Sequence, residues 1–314
     1  MRITDQKQEH TGSYYAATVN EKTDYPELEG EVSADICVVG AGFTGTSTAL
    51  TLAERGYSVA LIEANRIGWG ASGRNGGQLI NGISGLWKLQ KKHGKDNARM
   101  FWDMRWRGHE IIHERVNKYG IECDLKEGFV ETAFKKGQVE DIEDYAEEMD
   151  KWNFPWRWEV WDKEQTRAKL GTDAYIGGFC NWRDGHLHPL NLCIGEARAA
   201  HGLGVKIFEQ SPVTGIDHGD KPVVRTAKGQ VKANAVVLAG NAYSLFEPKQ
   251  LSNLVFPASS FVIGTEPLSD EMVAEINPED VAVCELRVDF QHQGFHHPAH
   301  AENLPSAQGC AHRL

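Results

Sequence analysis

Residues 35–63 read DICVVGAGFTGTSTALTLAERGYSVALIE, and the fold follows from how this stretch is parsed. DICVVG (35–40) is a short apolar run closed by glycine, the pattern of a buried parallel strand. GAGFTG follows, with Gly40, Gly42 and Gly45 in G-x-G-x-x-G spacing. Residues 43–56 carry a helical pattern that Gly56 ends, and YSVALIE (57–63) is a second apolar strand finishing on Glu63. A glycine turn alone is weak evidence of anything. Set between a strand and a helix, with a second strand ending in a carboxylate, it specifies a dinucleotide site.

The physical reasons are specific. Gly40 permits a tight turn, Gly42 lets a pyrophosphate approach the backbone, and Gly45 lets the helix pack close to the sheet. Phe43 and Thr44 open that helix, whose unpaired N–H groups and partial positive charge suit a phosphate anion. Glu63, followed by Ala64, stands where a carboxylate accepts from both ribose hydroxyls and repels a 2′-phosphate, which disfavours NADP. The next notable stretch is GWGASGRNGGQ (68–78), in which five of eleven residues are glycine. A simple NAD site does not need such a loop. A longer cofactor does, because the chain must then wrap a pyrophosphate and a flat ring.

Together with SYYAATVN (13–20), RIGWGASGRNGGQ (66–78), GHLHPLNLCIGEA (185–197), VVRTAKGQV (223–231) and VVLAGNAY (236–243), this N-terminal stretch resembles the FAD-dependent amine and amino-acid oxidases of the D-amino-acid oxidase/glycine oxidase superfamily. The resemblance implies an α/β fold with an α+β substrate part: a Rossmann-like FAD-binding domain and an interleaved antiparallel-sheet substrate domain. It implies FAD contacts from Ser72, Arg74, Asn75, Gly76, Gly77 and Gln78. It also implies a backbone contact from Val213 to the adenine, and an Ala239-Gly240 turn near the phosphates. The loop has no His or Cys for covalent attachment, so the FAD is expected to be held non-covalently.

The remaining chain fits that organisation. Residues 1–34 read as a polar N-terminal extension draped over the domain surface. The FAD domain is expected from 35–90 and 175–250, and the substrate domain from 91–174 and 251–287. Within these, 95–119 reads as a long amphipathic helix, 123–134 as strand, turn and strand, and 136–152 as an acidic, solvated helix. The aromatics of FPWRWEVWD (154–162) are expected to pave a sheet rather than to cage a cation. Pro189 marks the first turn of a helix. Apolar runs in VKIFEQ, SPVTGI, VVRTAKG and QVKANAVVLAG read as strands returning to the FAD domain.

The 314 residues are 41% apolar and 25% charged, an ordinary soluble composition long enough for two domains. A net charge of -11 argues against a nucleic-acid binder. No apolar run is long enough to span a membrane and the N-terminus has no signal-like stretch, so a cytoplasmic location is expected. Six scattered cysteines with no Cys-x-x-Cys pair point to reduced, mostly buried thiols and to no metal site. From 288 the chain loses all periodicity and holds five of its thirteen histidines. Without acidic partners or regular spacing they read as no metal site. The family continues with more strands and a C-terminal helix, so 288–314 is expected to be a divergent tail on a truncated or frameshifted product of low stability.

The activity the resemblance implies is oxidation of an amine, gamma-glutamylputrescine being the implied substrate, by hydride transfer to flavin with dioxygen as acceptor. Electron transfer to a quinone or carrier, or an inactive FAD-binding fragment, are the alternatives. Gln78, Asn81, His186 and His188 are the candidates for positioning substrate. The two histidines alternate along an extended segment, which would turn both to one side.

Overall fold

The computed structural model describes residues 8–82, 89, 92–94, 97–243 and 260–286. The chain divides into two compact units, one of residues 1–75, 115–123 and 188–259, the other of 76–114, 124–187 and 260–314.

In the first unit the polar N-terminal segment contributes a short helix, α1 (Tyr14–Thr18), and a strand, β1 (Gly30–Ser33). Four strands then form a parallel sheet. They are β2 (Ile36–Val39), β3 (Val59–Ile62), β8 (Lys206–Phe208) and β12 (Ala235–Leu238), in the order β12-β2-β3-β8. β3 is buried at every position, which is why it reads as an unbroken apolar run. Helix α2 (Phe43–Glu54) connects β2 to β3 and buries Gly45, Thr46, Ala49 and Leu50. Ala49 and Leu50 join a core with Cys193, Ile194 and Ala197 of a second helix, Pro189–Gly202. Each fully buried leucine there contributes about 2 kcal/mol.

β9 (Val213–Asp217), β10 (Val223–Thr226) and β11 (Gly229–Lys232) make an antiparallel meander, and β1 adds to β11 in parallel. The run QVKANAVVLAG therefore serves two sheets. The break falls at Asn234 and Ala235, whose N–H groups both donate to the Asp35 carbonyl and so redirect the chain beside β2.

The second unit holds β4 (Gln78–Leu79), β5 (Lys126–Ala133), β6 (Trp158–Trp161), β7 (Gly177–His186) and β13 (Ala282–Glu285). The order is β13-β5-β7-β4, with β6 also paired to β7. The long helix of the sequence reading is α3 (Ala98–Tyr119), and the acidic one is α4 (Lys136–Lys151). α5 (Lys163–Leu170) is capped by Asp162; Pro189–Gly202 is α6 and Asp270–Ile276 is α7. Trp156 and Trp158 pack against a buried cluster that includes Trp102, Trp106, Phe154 and Phe179, so the aromatics do pave this unit.

Several expectations need correction. Residues 123–134 do not turn back on themselves. They form the single strand β5, whose pairing with β7 shifts register between Glu127 and Phe129. Gly128 between them has φ +115°, so the glycine marks a bulge, not a hairpin. The unit boundaries also differ from the expected ranges. β7 pairs along its length with β5, which carries 175–187 into the second unit, while 115–123 belongs to the first. Of 251–287, the described part is 260–286, with α7 and β13. The expectations for 288–314 lie outside the described residues.

The five described cysteines are buried, and none is in a disulfide among the described residues. Among the described residues no helix is long and apolar enough to cross a membrane, and no three His, Cys, Asp or Glu side chains cluster in a way that would hold a metal ion.

Candidate cofactor site

The first unit has a hollow at the C-terminal end of β2 and β3, where ligands of parallel α/β sheets sit. Gly40, Gly42, Phe43 and Thr44 form one side of it, and Glu63 and Ala64 another. Ser72, Val213, Ala239 and Gly240 complete the set of sequence-selected residues that line it. Gly40 has φ +100°, and a Cβ on it would stand 2.7 Å from the Ala239 carbonyl oxygen. Gly45 lies beneath the loop, where a Cβ would come within 1.8 Å of the Gly40 oxygen. A Cβ on Gly42 would meet the Ser72 hydroxyl at 2.7 Å. Backbone thus comes as close as it can on every side. That is the cradle a pyrophosphate requires, and the residues present fit a dinucleotide.

The charge distribution matches. α2 begins at Gly42, which has no side chain to cap the helix. Ser72 takes over from the following loop, its Oγ accepting from Phe43 N at 2.9 Å. Its hydroxyl hydrogen is left to donate elsewhere. Glu63 accepts from Ala41 N at 2.7 Å through one oxygen and from Asn65 N at 2.9 Å through the other. The Ala64 N–H adds to these, and the carboxylate keeps room for a further donor. Burial pushes the Glu63 carboxyl above the usual range, against the lowering effect of those N–H groups.

The glycine-rich loop has a partly different explanation from the one its composition invites. Cβ atoms on Gly68 and Gly73 would strike Leu190 Cδ1 at 2.8 Å and the Gly68 oxygen at 2.4 Å. Those two glycines let the loop fold on itself against α6. Asn75 closes the same turn, donating from Nδ2 to the carbonyls of Ala71 and Ser72 at 3.1 and 2.9 Å. The Arg74 guanidinium lies over the Trp69 ring at 4.3 Å, with Nη2 buried and without a hydrogen-bond partner among the described residues. Trp69 and Tyr243 also line the hollow and meet edge to face at 5.5 Å. Neither residue was singled out from the sequence. The aromatic embedded in a run of glycines was the available signal for Trp69.

Gly76, Gly77 and Gln78 fall in the second unit. The Gly77 carbonyl accepts from Leu187 N at 2.8 Å, and Gln78 pairs with His186 between β4 and β7. Gln78 Nε2 is buried and has no hydrogen-bond partner among the described residues.

Asn81 belongs to a cluster of polar side chains. Its Oδ1 accepts from Arg105 Nε at 2.9 Å, and its Nδ2 donates to Asp184 at 2.8 Å. Asp184 also accepts from Asn81 N, from Asn181 Nδ2 and from His109 Nε2, at 3.0, 3.1 and 2.8 Å. Every lone pair of this buried carboxylate is used. Arg105 reaches on to the Tyr145 hydroxyl at 3.1 Å. Asn81, expected to position substrate, is thus bonded to buried charged side chains.

His188 also has a place in the fold. It is the N-cap of α6: Nδ1 accepts from Asn191 N at 3.1 Å, Nε2 meets Thr18 Oγ1 at 3.1 Å, and the ring packs edge-on against Tyr15. His186 ends β7 in the second unit while His188 sits in the first, so the alternation expected of one extended segment is broken where the helix begins.

The family model described as DAO, FAD dependent oxidoreductase, matches residues 35–297. Gamma-glutamylputrescine oxidoreductase of Escherichia coli is 42% identical over 90% of this chain and 67% of its own length. The probable oxidoreductase OrdL of Haemophilus influenzae is 42% identical over 90% of this chain and 68% of its own. Among solved structures, an L-amino acid deaminase from Proteus vulgaris aligns with a TM-score of 0.58 at 26% identity, covering 75% of this chain and 60% of that one.

Proposed function

We propose that this chain, which belongs to the DAO family of FAD-dependent oxidoreductases, oxidises the C–N bond of a small amine of the gamma-glutamylputrescine type, with dioxygen as the final acceptor. The observation that carries the cofactor half of this reading is the glycine cradle, in which three separate Cβ positions are already occupied by neighbouring atoms. The substrate half rests on the similarity to the Escherichia coli enzyme over most of the chain.

Bound FAD supplies the hydride acceptor for the C–H bond next to the amine nitrogen. The chain's own residues do the rest. The N–H groups at the head of α2 and the loop at Gly40 and Gly42 hold the pyrophosphate, Glu63 accepts from the ribose, and the Val213 backbone receives the adenine. Arg74, with its unpaired Nη2, and Ser72, with its spare hydrogen, donate to the cofactor. Asn75 acts by keeping their loop closed. Gly76, Gly77 and Gln78 extend the contacts, and Gln78 with His186 positions the amine, which reacts in its uncharged form. The resulting imine is hydrolysed, and the cofactor, when bound, would pass the electrons on to dioxygen as hydrogen peroxide. No His or Cys stands in the 68–78 loop, so the FAD is held non-covalently.

One experiment tests the reading. The purified protein is expected to be yellow, to release all its flavin on acid precipitation, to bleach when gamma-glutamylputrescine is added without air, and to regain colour with peroxide when air is admitted. A colourless protein that takes up no FAD overturns the cofactor site. Bleaching that reverses with a quinone but not with air overturns the acceptor alone.

A further inference from the structure

The residues around Gln8 and Glu9 hold the loop that follows β3. Gln8 N donates to Asn65 Oδ1 at 2.7 Å, and the Gln8 carbonyl accepts from Gln210 Nε2 at 3.5 Å. The Glu9 carboxylate takes Nε of Arg66 at 2.9 Å and its Nη2 at 2.7 Å, a two-pronged charge-assisted pair. The Glu9 carbonyl accepts from Trp69 Nε1 at 3.1 Å. Two of the three loop residues gripped in this way, Asn65 and Trp69, line the hollow. Nothing in the glycine fingerprint accounts for these bonds, of which those to Asn65, Arg66 and Trp69 reach 57 to 60 residues along the chain.

We infer that Gln8 and Glu9 form a strap of positioning residues for the cofactor, fixing Asn65 and Trp69 so that one wall of the hollow keeps the shape that retains FAD. This rests on the cofactor reading above. Asn65 is buried, and its oxygen is satisfied by the strap, so without Gln8 it must turn to find another donor. Trp69 has Arg74 on its face and Tyr243 against its edge, while its indole N–H is anchored by the strap. Ring position is thus determined by three contacts, two of them from segments distant in sequence.

The ionic grip is the separable part. Glu9 is 71% exposed and Arg66 16%, so the pair is open to salt on one side. Arg66 also pairs with Asp24 and with the fully buried Glu209, so loss of Glu9 does not leave it uncompensated. Glu9→Gln therefore removes a grip without unfolding the site. Gln8→Pro removes the N–H that Asn65 accepts and leaves the charges alone.

The test is titration of the flavin-free protein with FAD, followed by quenching of flavin fluorescence, for the parent and both variants at low and high salt. Each variant is expected to bind FAD about three- to tenfold more weakly, the range of a well-formed ion pair or one hydrogen bond. The melting temperature of the flavin-free proteins should be unchanged. For Glu9→Gln the difference from the parent should vanish in about 0.5 M salt, where the Debye length is short, and for Gln8→Pro it should persist. FAD binding within about twofold of the parent for both variants, or weakening matched by a fall in the flavin-free melting temperature, overturns the inference. A parent that binds no FAD overturns the cofactor site itself.

Discussion

The hollow at the head of α2 and the polar cluster beneath β4 use the same kinds of side chain to opposite ends. In the first, Glu63 and Ser72 bond to backbone N–H groups of the loops and keep bonding capacity in hand, so the walls are polar and the middle stays open. In the second, Asp184 is bonded by Asn81, Asn181 and His109, and Asn81 also accepts from Arg105, so the carboxylate's lone pairs are taken up within the cluster. A carboxylate that holds backbone can serve a ligand. A carboxylate surrounded by side-chain donors serves the fold.

The contrast breaks most visibly at Gly42. Gly42→Val should abolish FAD retention, because its side chain enters the cradle and displaces Ser72, whose hydroxyl lies 2.7 Å from a Cβ there. The flavin-to-protein ratio after purification measures it, and a variant as yellow as the parent would falsify the site. Asp184→Ala should instead act on stability. It strands His109 without its anion and leaves the Asn81 and Asn181 amides without their acceptor, at a cost of about 3–5 kcal/mol in chemical denaturation.

The margins of the second unit supply a pH test. Burial, helped by the Arg183 charge, holds His113 down at about 4. A base depressed in the folded state favours its neutral form there. Its contribution is present above the ordinary value of 6.5 and is lost as pH falls through about 4. His113→Gln should therefore lose less stability than the parent between pH 7 and 4.5, by about 1–2 kcal/mol after allowance for partial screening. The smallest effect belongs to His188. His188→Ala should lower stability by about 1 kcal/mol through the lost α6 cap, His188→Ser should recover much of it, and turnover should be the same in all three proteins. A His188→Ala protein of full stability but no activity would return this histidine to the substrate.

The β2-α2-β3 unit was legible in the sequence because its determinants are local. Apolar runs, glycine spacing and a terminal glutamate all act within a few residues of one another, and the backbone has few ways to satisfy them. Gly128 was legible as an interruption but not as a bulge, since bulge and hairpin differ only in what the strand pairs with. The bonds of Asn81 and His188 were not legible for the same reason. Their partners, Arg105 and Asp184 for one, Thr18 and Asn191 for the other, are recruited by folding.

From its residues alone the chain prescribes a parallel βαβ core and a place where a dinucleotide can meet bare backbone, because those demands are steric and short-range. Which polar residues remain available to that ligand was settled by packing. A side chain's bonding capacity is consumed by whichever donors and charges the fold brings beside it, and Gln8 and Glu9 reach Asn65 and Arg66 only once the chain has closed.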